Sequence, residues 1–337
     1  MNSVICSGEA IIDMIQKRRA PNKLIFEAHP GGAPANVAGG IGKLGGSARF
    51  FGKVSTDIFG KLILDTLGRN NVDLRFVPPL SSKPTAISLV SLDRSGNRDF
   101  VFHHCSTADS ELGSEEITGD LFAGASICHV GSFALSERRS GKATVSLIER
   151  AVSENCLISC DINVREQLWK SRRQLSRALR YLHGRSDILK CSLEEMHYLD
   201  SDFDTAHLHG SGNSILLERI QKSSARILSE GVRLLVVTMG SNGSILFSVR
   251  ASAFVPSFQI RAVDTTGAGD SFLAAVLYKL TSKGWDNRAS LNRLGKMDLG
   301  EIGRFASAVS AISCTRHGGI ESFPFMHEVE KFLSSRN

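Results

Sequence analysis

From about Gly124 onward, the chain alternates short apolar segments with longer amphipathic ones. The short segments are bounded by polar residues or glycine, as β-strands are, and the longer ones repeat their apolar residues at helical spacing. This alternation predicts a parallel sheet with helices on both faces, in which ligands bind at the carboxyl ends of the strands. The expected strands are 125–130, 156–160, 187–190 and 233–238, and the expected helices are 137–154, 172–183 and 215–230.

Two hairpin patterns precede this region. Segments 11–16 and 23–28 enclose a turn-rich interval, and segments 85–92 and 97–104 enclose a second one. Two hairpins can form a small sheet that is separate from the α/β part of the molecule. Such a sheet, projecting above a binding cleft, would act as a lid.

The length and composition of the chain fit one large folded domain. It has 337 residues, of which 42% are hydrophobic and 22% are charged. A folded chain of this length buries roughly three-quarters of its extended-chain surface, so it can form a core without disulfides. We predict a single α/β domain over 1–337, with a doubly wound, mostly parallel sheet and helices on both of its faces. A small β-sheet lid, from about 11–30 and 83–106, is expected to be inserted in this domain.

Charge and apolar runs exclude several classes of protein. The formal net charge is +6, and the longest uninterrupted basic run, 17–19, is short. A nucleic-acid surface usually shows a concentrated basic stripe. No apolar run approaches the roughly 20 residues of a membrane span, and the first residues do not form a secretion signal. Seven cysteines without a Cys-x-x-Cys pair indicate thiols. We expect a cytoplasmic protein that binds neither nucleic acid nor a membrane.

The most specific motif is DTTGAGDSF at 264–272. Apolar residues at helical spacing follow it, so 267–270 is expected at the N-terminus of a helix. The amide groups and the dipole at a helix N-terminus favour an anion, and glycine lets the backbone approach a phosphate closely. Asp270 there should be held ionised, as suits a base that accepts a proton from a hydroxyl group. The alternative, that Asp270 only caps the helix, does not explain the two glycines and two threonines before it.

A second cluster, GGAPAN, begins at Gly31. Pro34 fits the first turn of a helix, and the two glycines allow the chain to run close against a ligand. Asn36 would present an amide that both donates and accepts, as a sugar hydroxyl group requires. The alternative is a glycine turn that enters a core helix. Asp13, in the first hairpin, could accept hydrogen bonds from two vicinal hydroxyl groups, although an exposed aspartate on a strand is the commoner case.

Three polar residues, Asp161, Asn163 and Arg165, follow the expected strand 156–160. Alternate residues of an extended chain share a face, so the three side chains could point into one cleft at the carboxyl end of the strand. The alternative is a solvated loop.

The motif GIGKLG at 40–45 matches the dinucleotide-binding fingerprint. That fingerprint binds a cofactor only between a strand and the helix that the strand leads into. Here a helical turn begins at Pro34 and a strand follows at 48–52, so the glycines fall within a helix and at its end. We expect them to serve packing and helix termination.

With these motifs in view, the chain resembles the ribokinase-like (PfkB) carbohydrate kinase family, and within it the fructokinases. The motifs that carry the resemblance are GEAIID at 8–13, GGAPANV at 31–37, HVGS at 129–132, DTTGAGD at 264–270 and HGGI at 317–320. The resemblance implies transfer of the γ-phosphoryl group of ATP to a sugar, most simply to the 6-hydroxyl group of D-fructose. It also implies an α/β body with a β-sheet lid.

The resemblance assigns roles to individual residues. Asp270 matches the catalytic base, and the anion hole matches Gly267, Ala268 and Gly269. The substrate-binding positions are Asp13, Gly31, Gly32, Asn36, Phe102, Asn163 and Arg165. The nucleotide-binding positions are Lys190, Ser192, Glu195, Thr238 and Gly240. Mg²⁺ would accompany ATP and be held through water by Glu195, and Asp264 matches a position near a monovalent-cation site, normally K⁺.

The chain departs from the family pattern in two places. Ser192 stands where the family often has the Asn of an Asn-x-x-Glu motif, while Glu195 is kept. His104 stands where an Arg commonly follows an aromatic residue, which removes a permanent positive charge near the sugar. The substrate therefore stays open between fructose and 2-keto-3-deoxygluconate, whose carboxylate would meet Arg165.

An alternative from another class is a non-catalytic sugar-binding protein. Such a protein needs no base and anion hole together, so the complete GAGD sequence at 267–270 argues against it. The expected partners are a sugar and ATP. A homodimer through the lid is compatible with its exposed strand edges, which pairing would cover.

Overall fold

A nine-stranded sheet with helices on both faces forms most of the molecule in the computed structural model, which describes residues 2–20, 23–92, 98–104, 106–203 and 213–336. In chain order the strands are β1 (Ser3–Ser7), β2 (Ile11–Ala20), β3 (Lys23–Gly31), β4 (Ala48–Phe51), β5 (Val54–Ser55), β6 (Val72–Asp73), β7 (Pro79–Leu80), β8 (Ile87–Leu92), β9 (Arg98–His103), β10 (Ala125–Gly131), β11 (Leu157–Asp161), β12 (Ile188–Ser192), β13 (Leu234–Thr238), β14 (Ser244–Ser248) and β15 (Ser252–Val255). The helices are α1 (Ala33–Lys43), α2 (Ile58–Arg69), α3 (Arg138–Ser153), α4 (Arg172–His183), α5 (Asn213–Ser229), α6 (Ala268–Ser282), α7 (Arg288–Leu291), α8 (Lys296–Ser313) and α9 (Met326–Ser334).

The large sheet has the strand order β15-β14-β13-β12-β11-β10-β1-β4-β6. Adjacent strands of this sheet pair in parallel, except that β14 is antiparallel to both β13 and β15. Parallel neighbours need a crossover connection, and α3, α4 and α5 provide those between β10 and β13. The predicted α/β fold with a mostly parallel sheet is therefore confirmed. The predicted strands and helices of this region differ from the observed ones by no more than two residues at either end.

Hydrophobic clusters lie on both faces of this sheet, because successive residues of a strand point to opposite sides. On one face, Val4 and Ile127 pack with apolar residues of α1, α2, α6 and α8. On the other face, Ile5 and Ile158 pack with apolar residues of α3, α4 and α5. With both faces covered, polar side chains meet at the carboxyl ends of the strands, where a ligand can reach them.

A separate four-stranded sheet, called the small sheet below, has the order β3-β2-β8-β9. Each predicted hairpin forms an antiparallel pair, and β2 joins the two hairpins by pairing in parallel with β8. The prediction ended the second strand at residue 28, whereas β3 continues to Gly31. Pro30 is accommodated because β3 is an edge strand, where a missing N–H group is tolerated. The turn residues 21–22 and 93–97 lie outside the described residues.

The glycines of the GIGKLG motif lie within α1 and just after it, as predicted. A Cβ atom on Gly42 would overlap the carbonyl oxygen of Asn70, and one on Gly40 would lie 2.7 Å from the Cβ atom of Ala274 in α6. These glycines therefore allow α1 to pack closely against its neighbours, and they do not face a phosphate site.

The cysteines agree with the prediction of thiols. Five of those that fall in the described residues, Cys6, Cys128, Cys156, Cys160 and Cys191, are buried free thiols. Burial raises the pKa of the Cys156 thiol to about 11, so that it is protonated at neutral pH. Across the described ranges, no helix combines the length and the apolar character that a membrane crossing requires.

Candidate active site

The N-terminus of α6 carries the DTTGAGDSF motif. Gly267 precedes the helix with φ +70°, in the left-handed region, and a Cβ atom there would lie 3.0 Å from the ring of Phe323. Both the backbone angle and the space favour glycine. No side chain caps the helix, and Asp270 lies inside its first turn. Asp270 is therefore not the cap of the alternative interpretation, and the amide end of α6 suits an anion.

Asp270 is held by Asn36, which comes from α1. The Nδ2 group of Asn36 donates a hydrogen bond of 2.7 Å to Oδ2 of Asp270. The Oδ1 atom of Asn36 is buried and has no hydrogen-bond partner among the described residues. The two predicted residues, 234 positions apart in the chain, thus meet at one point. The amide fixes one carboxylate oxygen of Asp270 and leaves the other for a further contact.

The pKa of Asp270 lies above the usual range of an aspartate, yet the group is ionised at neutral pH. Burial raises the pKa to about 6, and the negative charge of Asp161 acts in the same direction. The hydrogen bond from Asn36 and the charges of Lys190 and Arg165 lower it, but they do not outweigh burial. A carboxyl group with this pKa is ionised at neutral pH and can still accept a proton during a reaction.

A cavity of about 330 Å³, called the small-sheet cavity, lies between the small sheet and the carboxyl ends of the large sheet. Eight of the predicted site residues line it. They are Asp13, Gly32, Asn36, Phe102, Asn163, Arg165, Gly267 and Asp270. The expectation that Asp161 shares this cavity is wrong. Asp161 ends β11 and pairs with Lys190, and the positive φ of Asn163 (+32°) interrupts the extended alternation.

Asp13 is buried in this cavity, as a substrate-binding residue would be, and not exposed as in the alternative interpretation. Burial raises its pKa to about 6, and the nearby charge of Asp270 adds to this effect. Gly31 does not line the cavity but adjoins it, because a Cβ atom on Gly31 would overlap Oδ2 of Asp13. Gly32 has φ +100°, and a Cβ atom there would overlap the carbonyl oxygen of Glu9. The glycine pair therefore lets α1 begin close beside Asp13 and Glu9.

A second cavity of about 400 Å³, called the β13 cavity, lies on the other side of the start of α6. Thr238 and Gly240, both predicted, line it beside the predicted anion-hole residues Ala268 and Gly269. Gly267 and Asp270 line the small-sheet cavity instead, and Thr265 lines both. The N-terminus of α6 is therefore the partition between two cavities that are each large enough for a small molecule.

Lys190 lies behind this partition. Its Nζ atom is 2.6 Å from Oδ2 of Asp161, and both side chains are buried. It is also 3.1 Å from the place that a Cβ atom on Gly269 would occupy. Burial acts against the charged form, but Asp161 holds the pKa of Lys190 above its usual range. Lys190 lines neither cavity, so the structure places its positive charge against the backbone of the helix N-terminus.

Glu195 connects the loops that follow β11 and β12. Its Oε1 atom accepts a hydrogen bond from the amide of Val164 at 2.7 Å, and Oε2 accepts one from the amide of Ser192 at 2.9 Å. Ser192 pairs with Thr238 across the sheet, so this loop begins beside the β13 cavity. Glu195 is therefore held by the backbone amide of Ser192 and not by its side chain.

Asp264 is buried just before the GAGD sequence. Its Oδ1 atom accepts a hydrogen bond from the amide of Thr266 at 2.8 Å, and Oδ2 accepts one from the amide of Gly318 at 3.1 Å. The carboxylate thus ties the loop before α6 to the HGGI segment, which the sequence had also singled out.

His104 does not face the small-sheet cavity as the resemblance implied. Its Nε2 atom is 2.6 Å from Oδ2 of Asp109, and both side chains are buried in a narrow void behind the cavity wall. Burial disfavours the charged form of His104, but the hydrogen bond to Asp109 raises its pKa overall. The imidazole of His104 is therefore bound to Asp109 and does not line the small-sheet cavity.

Among the residues that line the small-sheet cavity but are absent from the sequence-based set, Glu9 is the charged one. It comes two residues after β1, lines the small-sheet cavity and is 6% exposed. The available signal was an acidic residue directly after the first apolar strand, at the carboxyl end where such sheets bind ligands.

Comparisons with known proteins agree with this geometry. A family model described as "pfkB family carbohydrate kinase" matches residues 1–326. A probable fructokinase of Arabidopsis thaliana, fructokinase-5, is 32% identical over 340 residues, which cover 99% of this chain and 98% of that protein.

Two solved structures are similar over nearly their whole length. A fructokinase from Xylella fastidiosa with bound ATP has a TM-score of 0.85 and 28% identity, with 99% of this chain and 98% of that one covered. A fructokinase from Vibrio cholerae O395, bound to fructose, ADP and a calcium ion, has a TM-score of 0.81 and 28% identity, with 99% of both chains covered. A double mutant of the latter is known with fructose, ADP and a potassium ion.

Proposed function

The chain belongs to the pfkB family of carbohydrate kinases, and from this premise we propose that it transfers the γ-phosphoryl group of ATP to the 6-hydroxyl group of D-fructose. The observation that carries the proposal is the position of the α6 N-terminus. It separates a polar cavity that contains Asp270 from a second cavity lined by Ala268 and Gly269. A sugar in the first cavity and a nucleotide in the second would meet at this helix end.

In the proposed reaction, the oxygen of the sugar hydroxyl group attacks the γ-phosphorus atom. A bond forms between them, and the bond from this phosphorus to the ADP oxygen breaks. The hydroxyl proton passes to the carboxylate of Asp270, which Asn36 orients. The amide groups at 267–269 stabilise the charge on the transferring group, with the buried ammonium group of Lys190 behind them. Positioning and charge stabilisation are the main requirements of phosphoryl transfer.

The charges in the small-sheet cavity favour a neutral sugar. Three acids, Glu9, Asp13 and Asp270, line the cavity against the guanidinium group of Arg165. Two of them, Asp13 and Asp270, have a pKa of about 6 and are ionised at neutral pH, so the ionised carboxylates outnumber the cation. A carboxylate substrate such as 2-keto-3-deoxygluconate would meet these acidic groups, whereas fructose offers hydroxyl groups that Asp13 and Asn36 can bind. The names of the relatives support the same choice, since they are fructokinases.

We propose that Mg²⁺ accompanies ATP, held through water by Glu195. No three acidic, histidine or cysteine side chains converge on a metal position within the described ranges. A single carboxylate beside the β13 cavity fits an ion that the nucleotide phosphates carry, because Mg²⁺ usually keeps several waters. When bound, the ion neutralises charge on the phosphate oxygens. Asp264 would contribute to a K⁺ site, since its carboxylate fixes the loop that enters α6.

We also propose that 1–337 is one domain in which the small sheet is the lid, since Asp13, Ser88 and Phe102 reach from it into the cavity. The small sheet exposes Leu24, Ile25 and Val101, which supports a homodimer in which two lids cover each other. We propose a cytoplasmic location, which suits an enzyme that consumes ATP.

A coupled ADP-release assay tests this proposal. The panel contains fructose, ribose, 2-keto-3-deoxygluconate, adenosine and sugar phosphates, and phosphorus NMR of the product locates the new ester. We expect the highest kcat/KM with fructose and a 6-phosphate product. A higher kcat/KM with another substrate, or a 1-phosphate product, would contradict the substrate assignment. Binding of fructose without any release of ADP would instead support a sugar-binding protein.

A further inference from the structure

The carboxyl group of Glu9 is buried in the wall between the small-sheet cavity and the narrow void that holds His104 and Asp109, and only one of its oxygens has a hydrogen-bond partner among the described residues. Its Oε1 atom accepts a hydrogen bond of 3.0 Å from the amide of Ala33, at the first residue of α1. Its Oε2 atom is buried and has no hydrogen-bond partner among the described residues. A buried polar oxygen without a partner is costly unless something that binds in the cavity completes it.

The surroundings of Glu9 favour a neutral carboxylic acid. The nearest acidic groups are Asp109, in the turn after β9, and Asp270, at the start of α6, and both disfavour a further negative charge. The imidazole of His104, on this side of Glu9, is engaged by Asp109. Burial raises the pKa of Glu9 to about 8, although the amide of Ala33 lowers it. At neutral pH its Oε2 atom can therefore carry a hydrogen and donate it.

The other carboxyl groups of the cavity cannot play this part. Asp13 and Asp270 have a pKa of about 6, so at neutral pH they accept hydrogen bonds and do not donate them. One of the two amide hydrogens of Asn36 is used by Asp270. A sugar hydroxyl group both donates and accepts, so its oxygens need donors, and Glu9 would add one to those that Asn163 and Arg165 offer in the cavity.

We propose that Glu9 is a specificity-determining residue that contacts the sugar, with Oε1 bound to the amide of Ala33 and Oε2 donating a hydrogen bond to a sugar oxygen. This inference rests on the proposed function, because it requires a sugar in the small-sheet cavity. It makes Glu9 the donor among the three carboxyl groups of the cavity, and it limits the negative charge that a neutral sugar meets. A sugar that lacks the contacted hydroxyl group would lose this contact.

Two variants and a set of deoxy sugars test the proposal. Glu9→Met keeps the approximate length of the side chain and removes both oxygens, while Glu9→Gln keeps a neutral donor and an acceptor. We expect Glu9→Met to raise the KM for fructose about 10-fold to 100-fold, the range for loss of one buried hydrogen bond, with a much smaller effect on the KM for ATP. Glu9→Gln should recover most of this loss.

The deoxy sugars separate contact from structural support. The analogues are 1-, 3- and 4-deoxyfructose. The one that lacks the hydroxyl group contacted by Glu9 should bind to the wild type more weakly than fructose does. Its affinity should not fall further in Glu9→Met, because its contact with Glu9 is already absent. A common factor for all analogues in Glu9→Met would overturn the proposal.

The pH dependence gives an independent result. In the wild type, the KM for the sugar should rise above about pH 8, where Glu9 loses its hydrogen, and in Glu9→Gln this rise should disappear. An identical rise in both proteins would contradict the proposal, and this comparison decides even if Glu9→Met fails to fold. If the wild type prefers another sugar, the proposed substrate is wrong, and the deoxy analogues of that sugar then test Glu9.

Discussion

Gly31 shows how a single missing Cβ atom can define a binding site. The residue does not line the small-sheet cavity, yet a side chain there would overlap the Asp13 carboxylate. We predict that Gly31→Ala displaces Asp13 and raises the KM for the sugar by at least about 10-fold, as expected for loss of a charge-assisted hydrogen bond. Steady-state kinetics with varied sugar and saturating ATP measure this effect.

The control for this variant is Gly300→Ala in α8. No atom lies within 4 Å of a Cβ atom there, and the residue is inside a helix. The substitution should leave the KM for the sugar unchanged and raise the free energy of unfolding by up to about 1 kcal/mol, because alanine is the better helix former. Equal kinetic effects of the two substitutions would show that the space beside Asp13 is unimportant.

The pKa values of the cavity acids predict the acid side of the pH profile. Asp270 must be ionised to accept a proton, and Asp13 must be ionised to accept hydrogen bonds, and burial raises both pKa values to about 6. The kcat/KM for the sugar should therefore rise with pH up to about 6–7, and it should fall again above about pH 8, where Glu9 loses its hydrogen. A profile that is flat down to pH 4.5 would contradict the observed burial of these groups.

At the scale of secondary structure, β11 and β12 are joined by the buried pair of Asp161 and Lys190. We predict that Lys190→Met lowers the free energy of unfolding by about 3–5 kcal/mol, because it leaves a buried carboxylate without its cation. Replacing both residues, with Asp161→Leu added, should recover most of this loss. Denaturant-induced unfolding measures the three proteins.

A more exposed ion pair provides the comparison. Lys279 is 2.9 Å from Glu301, whose side chain is 43% exposed, so Lys279→Met should cost less than about 1 kcal/mol. A similar cost for Lys190→Met would mean that the buried pair adds little to the junction of the two strands beneath α6.

The spacing of apolar residues predicted the helices and strands that have one polar face. Helix α4 has exposed arginines opposite a buried stripe, and the prediction matched its bounds. Helix α8 and the antiparallel strands β14 and β15 are absent from the sequence-based prediction. In α8, buried residues such as Leu299, Ile302 and Phe305 are joined by buried alanines and serines around most of the helix, so no polar face marks it. Strands β14 and β15 are short, and their pairing depends on β13.

For the molecule as a whole, the motifs predicted which residues form the site but not how they divide between two cavities. The order of the strands brings Asn36 next to Asp270 and places the small sheet above both residues. The position of Glu9 after the first apolar strand was a weak signal, because its burial arises only when the small sheet and α1 close around the end of β1. The roles of His104 and Lys190 differ from expectation for a similar reason, since their partners lie on neighbouring elements.

The small sheet is the part of the molecule whose role depends most on ligands. If it is the lid, fructose should slow hydrogen exchange in β2, β8 and the first turn of α1, all of which adjoin the small-sheet cavity. ATP without sugar should instead protect 238–243 and the start of α6. Exchange measured by mass spectrometry compares the two ligands. Unchanged exchange in the small sheet with saturating fructose would contradict its role as a lid.

We propose Asp270 as the base at the partition between the two cavities. The most direct measurement compares kcat and the affinity for fructose in the wild type and in Asp270→Asn, which keeps the size of the side chain. We predict that kcat falls by about 10²-fold to 10⁴-fold, as expected for loss of a general base, while the Kd for fructose measured by calorimetry changes much less. Turnover close to that of the wild type would contradict the account.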